Sequence, residues 1–185
     1  MLSSTKRTES VQIGHHLMAI YDNIDDEINE AIEFLKEGLR RNEAVMILTE
    51  NVGKEKLLKR IKENESALGG NIEELVKRGN VTIESTSGWY FPDGANLNPD
   101  RIIATFTAMV DLAIHNGKKA IRIFGDMSAF FKAGFTMDLL NYESKLGKNF
   151  DLPLIGVCAF LAENINSLNA KQFEELQEFH HSIWN

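Results

Sequence analysis

Five strand-length, largely apolar runs alternate with helix-length amphipathic segments, and this alternation constrains the fold of the chain more than any other feature. The runs cover residues 16–21 (HLMAIY), 43–49 (EAVMILT), 81–85 (VTIES), 119–124 (KAIRIF) and 154–160 (LIGVCAF). After the first run, Asp22 and Asn23 offer cap chemistry, and Ile24, Ile28, Ile32, Leu35 and Leu39 recur at spacings of three and four. That spacing is the stripe of an amphipathic helix. Asn98-Pro99 opens another helix with an apolar face running from Ile102 to Ala113, and Asn116-Gly117 closes it. Further helices are expected at 136–146 and 170–183. Nearly continuous apolar strands separated by helices predict an α/β fold with three layers, a mostly parallel sheet covered by helices on both faces. Residues 1–13 read as a flexible polar arm, and 14–185 as a single domain.

Composition narrows the function. The net charge of −7 argues against direct nucleic-acid binding, which draws its affinity from clustered Lys and Arg. Cys158 is the one cysteine, so no internal disulfide can form. Residues 1–10 lack the apolar core of a signal peptide, and no run approaches the ~20 apolar residues of a membrane span. A cytoplasmic protein without membrane contact is the expectation.

Nucleotide chemistry is not expected either. The turn after the first strand reads Tyr21-Asp22-Asn23-Ile24-Asp25-Asp26-Glu27, where a phosphate loop would need glycines and a Lys. Carboxylates at that turn repel phosphate. A dinucleotide fingerprint, a zinc-protease His pair and a nucleophile elbow are all missing from the sequence.

Several segments, taken in order, resemble the MEDS sensory domains, named for methanogens, methylotrophs and a dichloromethane-responsive regulator. They are GHHLMAIY from Gly14, FLKEGL from Phe34, EAVMILT from Glu43, RIFGDMS from Arg122, Tyr142-Glu143, the strand holding Cys158, and a His near the C-terminus. The resemblance runs from about residue 12 to 181. It points to His16 rather than His15, and to Arg122, Gly125 and Met127, with Asp126 standing where the family usually has Glu. Phe160-Leu161 replaces a Tyr-Asp pair, and Met18 replaces a Cys found in some members, which shifts the ligand preference toward an apolar molecule. The resemblance implies a RecA-like or KaiC-like core without its nucleotide loop. It also implies a sensory role for a hydrocarbon-derived or other small ligand. Output would pass through a partner such as a kinase or transcription regulator, or through a homo-oligomer.

The expected ligand-binding residues are His16, Tyr21, Trp89, Tyr90, Arg122, Asp126, Met127, Tyr142, Glu143, Cys158 and His180. Each also has a purely structural reading. A Cys in an apolar strand behaves as a small hydrophobe. His180 shares a helix face with Phe173 and Leu176 and points to the core. A buried Arg122 needs a carboxylate, for which Glu143 is the candidate. Trp89, Tyr90 and Phe91 lie in a turn-rich connection over 86–98 that would close as a lid at the carboxyl end of the sheet. His16 starts its strand and would sit at the opposite end. No cofactor is expected, although His16, Cys158 and His180 have the chemistry of a zinc site should they converge. The alternatives to a sensor are a non-catalytic interaction module and a zinc- or thiol-dependent enzyme.

Overall fold

A computed structural model describes residues 11–63, 68, 70–92, 94 and 97–184. Six strands form the sheet: β1 (His16–Tyr21), β2 (Ala44–Thr49), β3 (Val81–Ser85), β4 (Ile121–Asp126), β5 (Leu154–Leu161) and β6 (Ser182–Ile183). Their order is β3-β2-β4-β5-β1-β6, and every pairing is parallel. The helices are α1 (Ile24–Arg40), α2 (Lys54–Lys62), α3 (Ile72–Lys77), α4 (Thr86–Tyr90), α5 (Pro99–His115), α6 (Ser128–Lys132), α7 (Thr136–Leu146), α8 (Ala162–Asn166) and α9 (Ala170–Glu178). The expected α/β class with a parallel sheet is the observed one, and its layering is that of a RecA-like core.

Strand periodicity sorts the side chains into two cores. Successive residues of a strand point to opposite faces. Leu17, Ala19, Tyr21, Ile155, Val157 and Ala159 therefore pack with Ile28, Ile32 and Phe34 of α1 and Leu57 and Ile61 of α2. Met18, Cys158, Phe160 and Ile123 face the other way, against Phe106 and Val110 of α5, Phe130 of α6, Leu139 and Tyr142 of α7 and Leu176 of α9. Both layers are dense with apolar side chains, so the four inner strands β1, β2, β4 and β5 are buried on both faces, as their nearly uninterrupted apolar sequences require.

Local chemistry fixes the helix starts. Asn23 accepts from the Asp26 N–H at the head of α1, and Asn98 accepts from Arg101 N–H ahead of Pro99. Ile24, expected in the buried stripe of α1, is exposed, at the first position of the helix. At Gly38 the helix comes so close to the sheet that an added Cβ would lie 2.6 Å from Val45 Cγ2 and 3.1 Å from Arg122 Cδ.

Two expectations need correction. The last helix stops at Glu178, not at 183, because the chain turns at Phe179 and His180 to lay β6 beside β1. The connection over 86–98 begins with a helical turn, α4, whose N-cap Ser85 accepts from Gly88 N–H. Residues 93, 95 and 96 of that connection, like residues 1–10 of the expected arm, lie outside the described residues. Val11, by contrast, is buried in the α1 core. Among the described residues, no helix is long and apolar enough to cross a membrane.

Candidate functional site

His16 and Cys158 are brought together by the parallel pairing of β1 and β5, in which His16 lies opposite Gly156 and Met18 opposite Cys158. Their side chains share the face covered by α7. From α7 comes Glu143, and from the turn just after α9 comes His180. All four are buried. His16 Nε2 lies 3.2 Å from Glu143 Oε2 and 3.4 Å from Cys158 Sγ, and His180 Nε2 lies 3.5 Å from the same Glu143 oxygen.

Backbone carbonyls hold the two imidazoles. His16 Nδ1 donates to Gly147 O at 2.7 Å, with Phe179 O at 3.2 Å, and His180 Nδ1 donates to Leu176 O at 2.7 Å. A carbonyl can only accept, so both Nδ1 atoms carry hydrogen and both Nε2 atoms turn toward the carboxylate. The Gly147 carbonyl is available because α7 ends there, with Gly147 at φ +69°, a conformation glycine adopts without penalty. Phe150 closes the site, its ring 5.1 Å from that of His16. Gly156 leaves room for that ring, since a Cβ there would lie 3.0 Å from Phe150 Cε2.

Burial controls the protonation of this cluster. It pushes the Cys158 thiol well above its ordinary value, aided by the neighbouring Glu143 carboxylate. It also lowers His180 to about 4, against the opposing pull of Glu143. Burial would raise Glu143 too, but the hydrogen bond from His16 and the two facing imidazoles outweigh it and hold the carboxyl below its usual range. Without another ligand, the group is therefore a carboxylate, a thiol and a neutral His180 around His16.

Beside the cluster lies a small cavity of about 20 Å³, lined by His16, Tyr90, Phe106, Gly125, Tyr142 and Cys158 among others. The hydroxyls of Tyr90 and Tyr142 are 3.3 Å apart. Burial raises both phenols well above their ordinary pKa, so both stay neutral. Trp89 sits one layer behind, stacked on Phe106 with ring centroids 5.9 Å apart. Met127 is fully buried on the same face, next to Gly125.

The remaining expected residues lie elsewhere. Arg122 points to the opposite face, where its Nε donates to Glu43 at 2.6 Å and its guanidinium lies 4.6 Å from the centroid of the Phe34 ring. The expected partner, Glu143, is on the other side of the sheet. The ion pair forms with Glu43 because β2 runs beside β4 and places Val45 next to Arg122. Asp126 has both oxygens occupied: Oδ2 accepts from the N–H groups of Glu50 and Asn51, both at 2.8 Å, and Oδ1 from Ser128 N–H at 2.9 Å. It ties two connections to the sheet. Tyr21 is buried against Phe124 on the α1 side. An open groove of about 520 Å³ at the carboxyl ends of the strands is bordered by Asp22, Asn23, Asn51, Lys56 and Glu163. The close-set cluster of His16, Glu143, Cys158 and His180 is not there.

Sequence reasoning missed the wall residues Phe106 and Phe150 and the carbonyls of Gly147, Leu176 and Phe179. It also missed Glu43 as the partner of Arg122, which depends on the adjacency of β2 and β4. No curated protein matches the chain closely enough to compare with it. A family profile does match: MEDS, the MEthanogen/methylotroph, DcmR Sensory domain, aligns over residues 15–180. That span runs from the start of β1 to the His180 turn and takes in every member of the buried cluster. The chain belongs to the MEDS family of sensory domains.

Proposed function

We propose that the domain formed by residues 14–185 senses one small, mostly apolar molecule of one or two carbons, taken into the cavity between the sheet and helices α5 and α7. The observation that carries this reading is the cavity itself. At about 20 Å³ it has room for roughly one or two water-sized groups, directly beside the buried cluster. Phe106, Ile123 and Gly125 would contact the apolar part of a hydrocarbon derivative. Tyr90, Tyr142, His16 and Cys158 would meet a polar end. Tyr90 belongs to α4, so a ligand that displaces its ring also moves the segment carrying Trp89. That movement is the signal in this reading, passed to a protein partner such as a kinase or transcription regulator, or to a second copy of the chain.

A thermal-shift panel of one- and two-carbon alcohols, amines, thiols and halides tests it. A compound present at a hundredfold excess over its Kd stabilises the fold by about 2.7 kcal/mol, or about 5–10 °C in a domain of this size. Gly125→Ala is the control. Its added methyl meets Met127 Sδ at 3.5 Å and Val157 O at 3.9 Å, ordinary contacts, so the variant folds and fills part of the cavity. The expected result is a shift in the wild type that is reduced or lost in Gly125→Ala. An equal shift in both proteins would place the ligand outside the cavity.

A further inference from the structure

The cluster beside the cavity contains more hydrogen-bond acceptors than donors, and that imbalance points to an ion. His180 Nε2 and the two Glu143 oxygens are three acceptor atoms, faced only by His16 Nε2 and the Cys158 thiol among the described side chains at this point. His180 Nε2 and both Glu143 oxygens are buried without a hydrogen bond of good geometry. Such orphaned polar atoms are costly inside a protein. A proton on His16 Nε2 meets the carboxylate but leaves the lone pair of His180 facing it at 3.5 Å.

The spacing also fits a metal. One ligand atom from each of the four side chains lies within 4.8 Å of all the others. Around a tetrahedral zinc with bonds of about 2.0–2.3 Å, neighbouring ligand atoms are about 3.3–3.7 Å apart. Three of the edges, at 3.2, 3.4 and 3.5 Å, already come close to that. The second sphere is in place too, because each imidazole donates its Nδ1–H to a backbone carbonyl, which fixes the tautomer a metal requires. One carboxylate and one thiolate balance the charge of a divalent ion, so the buried assembly becomes neutral.

We propose that His16, Glu143, Cys158 and His180 bind one divalent transition-metal ion of the zinc class, through both Nε2 atoms, a Glu143 oxygen and the Cys158 sulfur. As the metal–sulfur bond forms, the thiol proton leaves to the buffer. The cavity touches His16 and Cys158, so the ion would sit at its wall. This site is independent of whether the cavity takes an organic ligand.

The test is a titration of chelator-stripped, reduced protein with Co²⁺, followed by displacement with Zn²⁺. One equivalent of cobalt is expected to bind, giving the intense near-ultraviolet charge-transfer band of a cobalt–thiolate bond. Zinc should abolish it. Cys158→Ser is expected to lose the band, and His180→Gln to weaken binding ~100-fold or more, since even outer-sphere changes cost 10–100-fold. His181→Ala is the control, because His181 is exposed and stacks on His15 at 4.2 Å, a pair able to capture metal at the surface. It should change neither band nor affinity. A wild-type titration without the thiolate band would overturn the proposal, whether or not the variants fold. So would an affinity that falls with His181→Ala and is untouched by His180→Gln.

Discussion

Glu43→Ala is expected to destabilise the fold by about 3–5 kcal/mol, the cost of leaving one member of a buried ion pair uncompensated. Arg122 is wholly buried, its Nε donates to Glu43 at 2.6 Å, and neither terminal nitrogen of its guanidinium has a hydrogen-bond partner. Burial already lowers its pKa, with Glu43 opposing that shift. Removing the carboxylate leaves a cation in an apolar layer with the Phe34 ring as a weak substitute, worth about 1–2 kcal/mol. The double variant Arg122→Met with Glu43→Leu removes both charges and keeps the volume. It is expected to recover most of the loss, because apolar replacement of a buried pair is often neutral or stabilising. Urea unfolding measures both. A loss under about 1 kcal/mol for Glu43→Ala would mean that the guanidinium reaches water.

A second large effect concerns Glu27 on α1, whose carboxyl is pushed up to about 8 by burial and by the nearby Asp126, with Asn51 and Lys132 opposing. The folded pKa thus lies above the ordinary value of 4.5, so the folded state holds a proton that the unfolded chain has released. Stability from this group is fully present below pH ~4.5 and is lost as the pH rises through about 8. The full shift corresponds to a ceiling of about 5 kcal/mol, and relaxation around the carboxyl reduces the expected loss to about 2–3 kcal/mol. Glu27→Gln mimics the protonated form at every pH. It is expected to match the wild type at pH 4.5 and exceed its stability by about 2–3 kcal/mol at pH 8. Equal stability of the two proteins at pH 8, followed by denaturant unfolding, would show that Glu27 is ionised in the fold without penalty.

Much of the site was legible from short-range pattern. His16 and Cys158 lie on the same face because alternation along β1 and β5 puts both on the side away from α1. The helical stripe through Phe173 and Leu176 correctly aimed His180 inward, even though the helix ends two residues before it. Tyr142 lies between Leu139 and Leu146 in the apolar stripe of α7, and both it and the neighbouring Glu143 are buried.

What could not be read depends on which strands are neighbours. The pairing of Arg122 with Glu43 follows from the adjacency of β2 and β4, and nothing local to either residue specifies it. The early end of α9 has a similar origin. The 179–183 segment has no Gly or Pro to stop a helix, and the chain leaves helical geometry because β1 offers an open edge where Trp184 N–H can reach Met18 O. The convergence of His16, Glu143, Cys158 and His180 likewise joins residues up to 164 positions apart in sequence. Without close-spaced ligand pairs, that convergence emerges from the sheet order.

The most direct test of the sensory reading is a crystal structure of the domain with the strongest stabiliser found in the thermal-shift panel. Density for the compound is expected inside the cavity, against Phe106 and Gly125 and beside the hydroxyls of Tyr90 and Tyr142. Density instead in the open groove by Asn23 and Asn51, with the cavity unchanged, would contradict that reading and move the sensing site to the carboxyl ends of the strands.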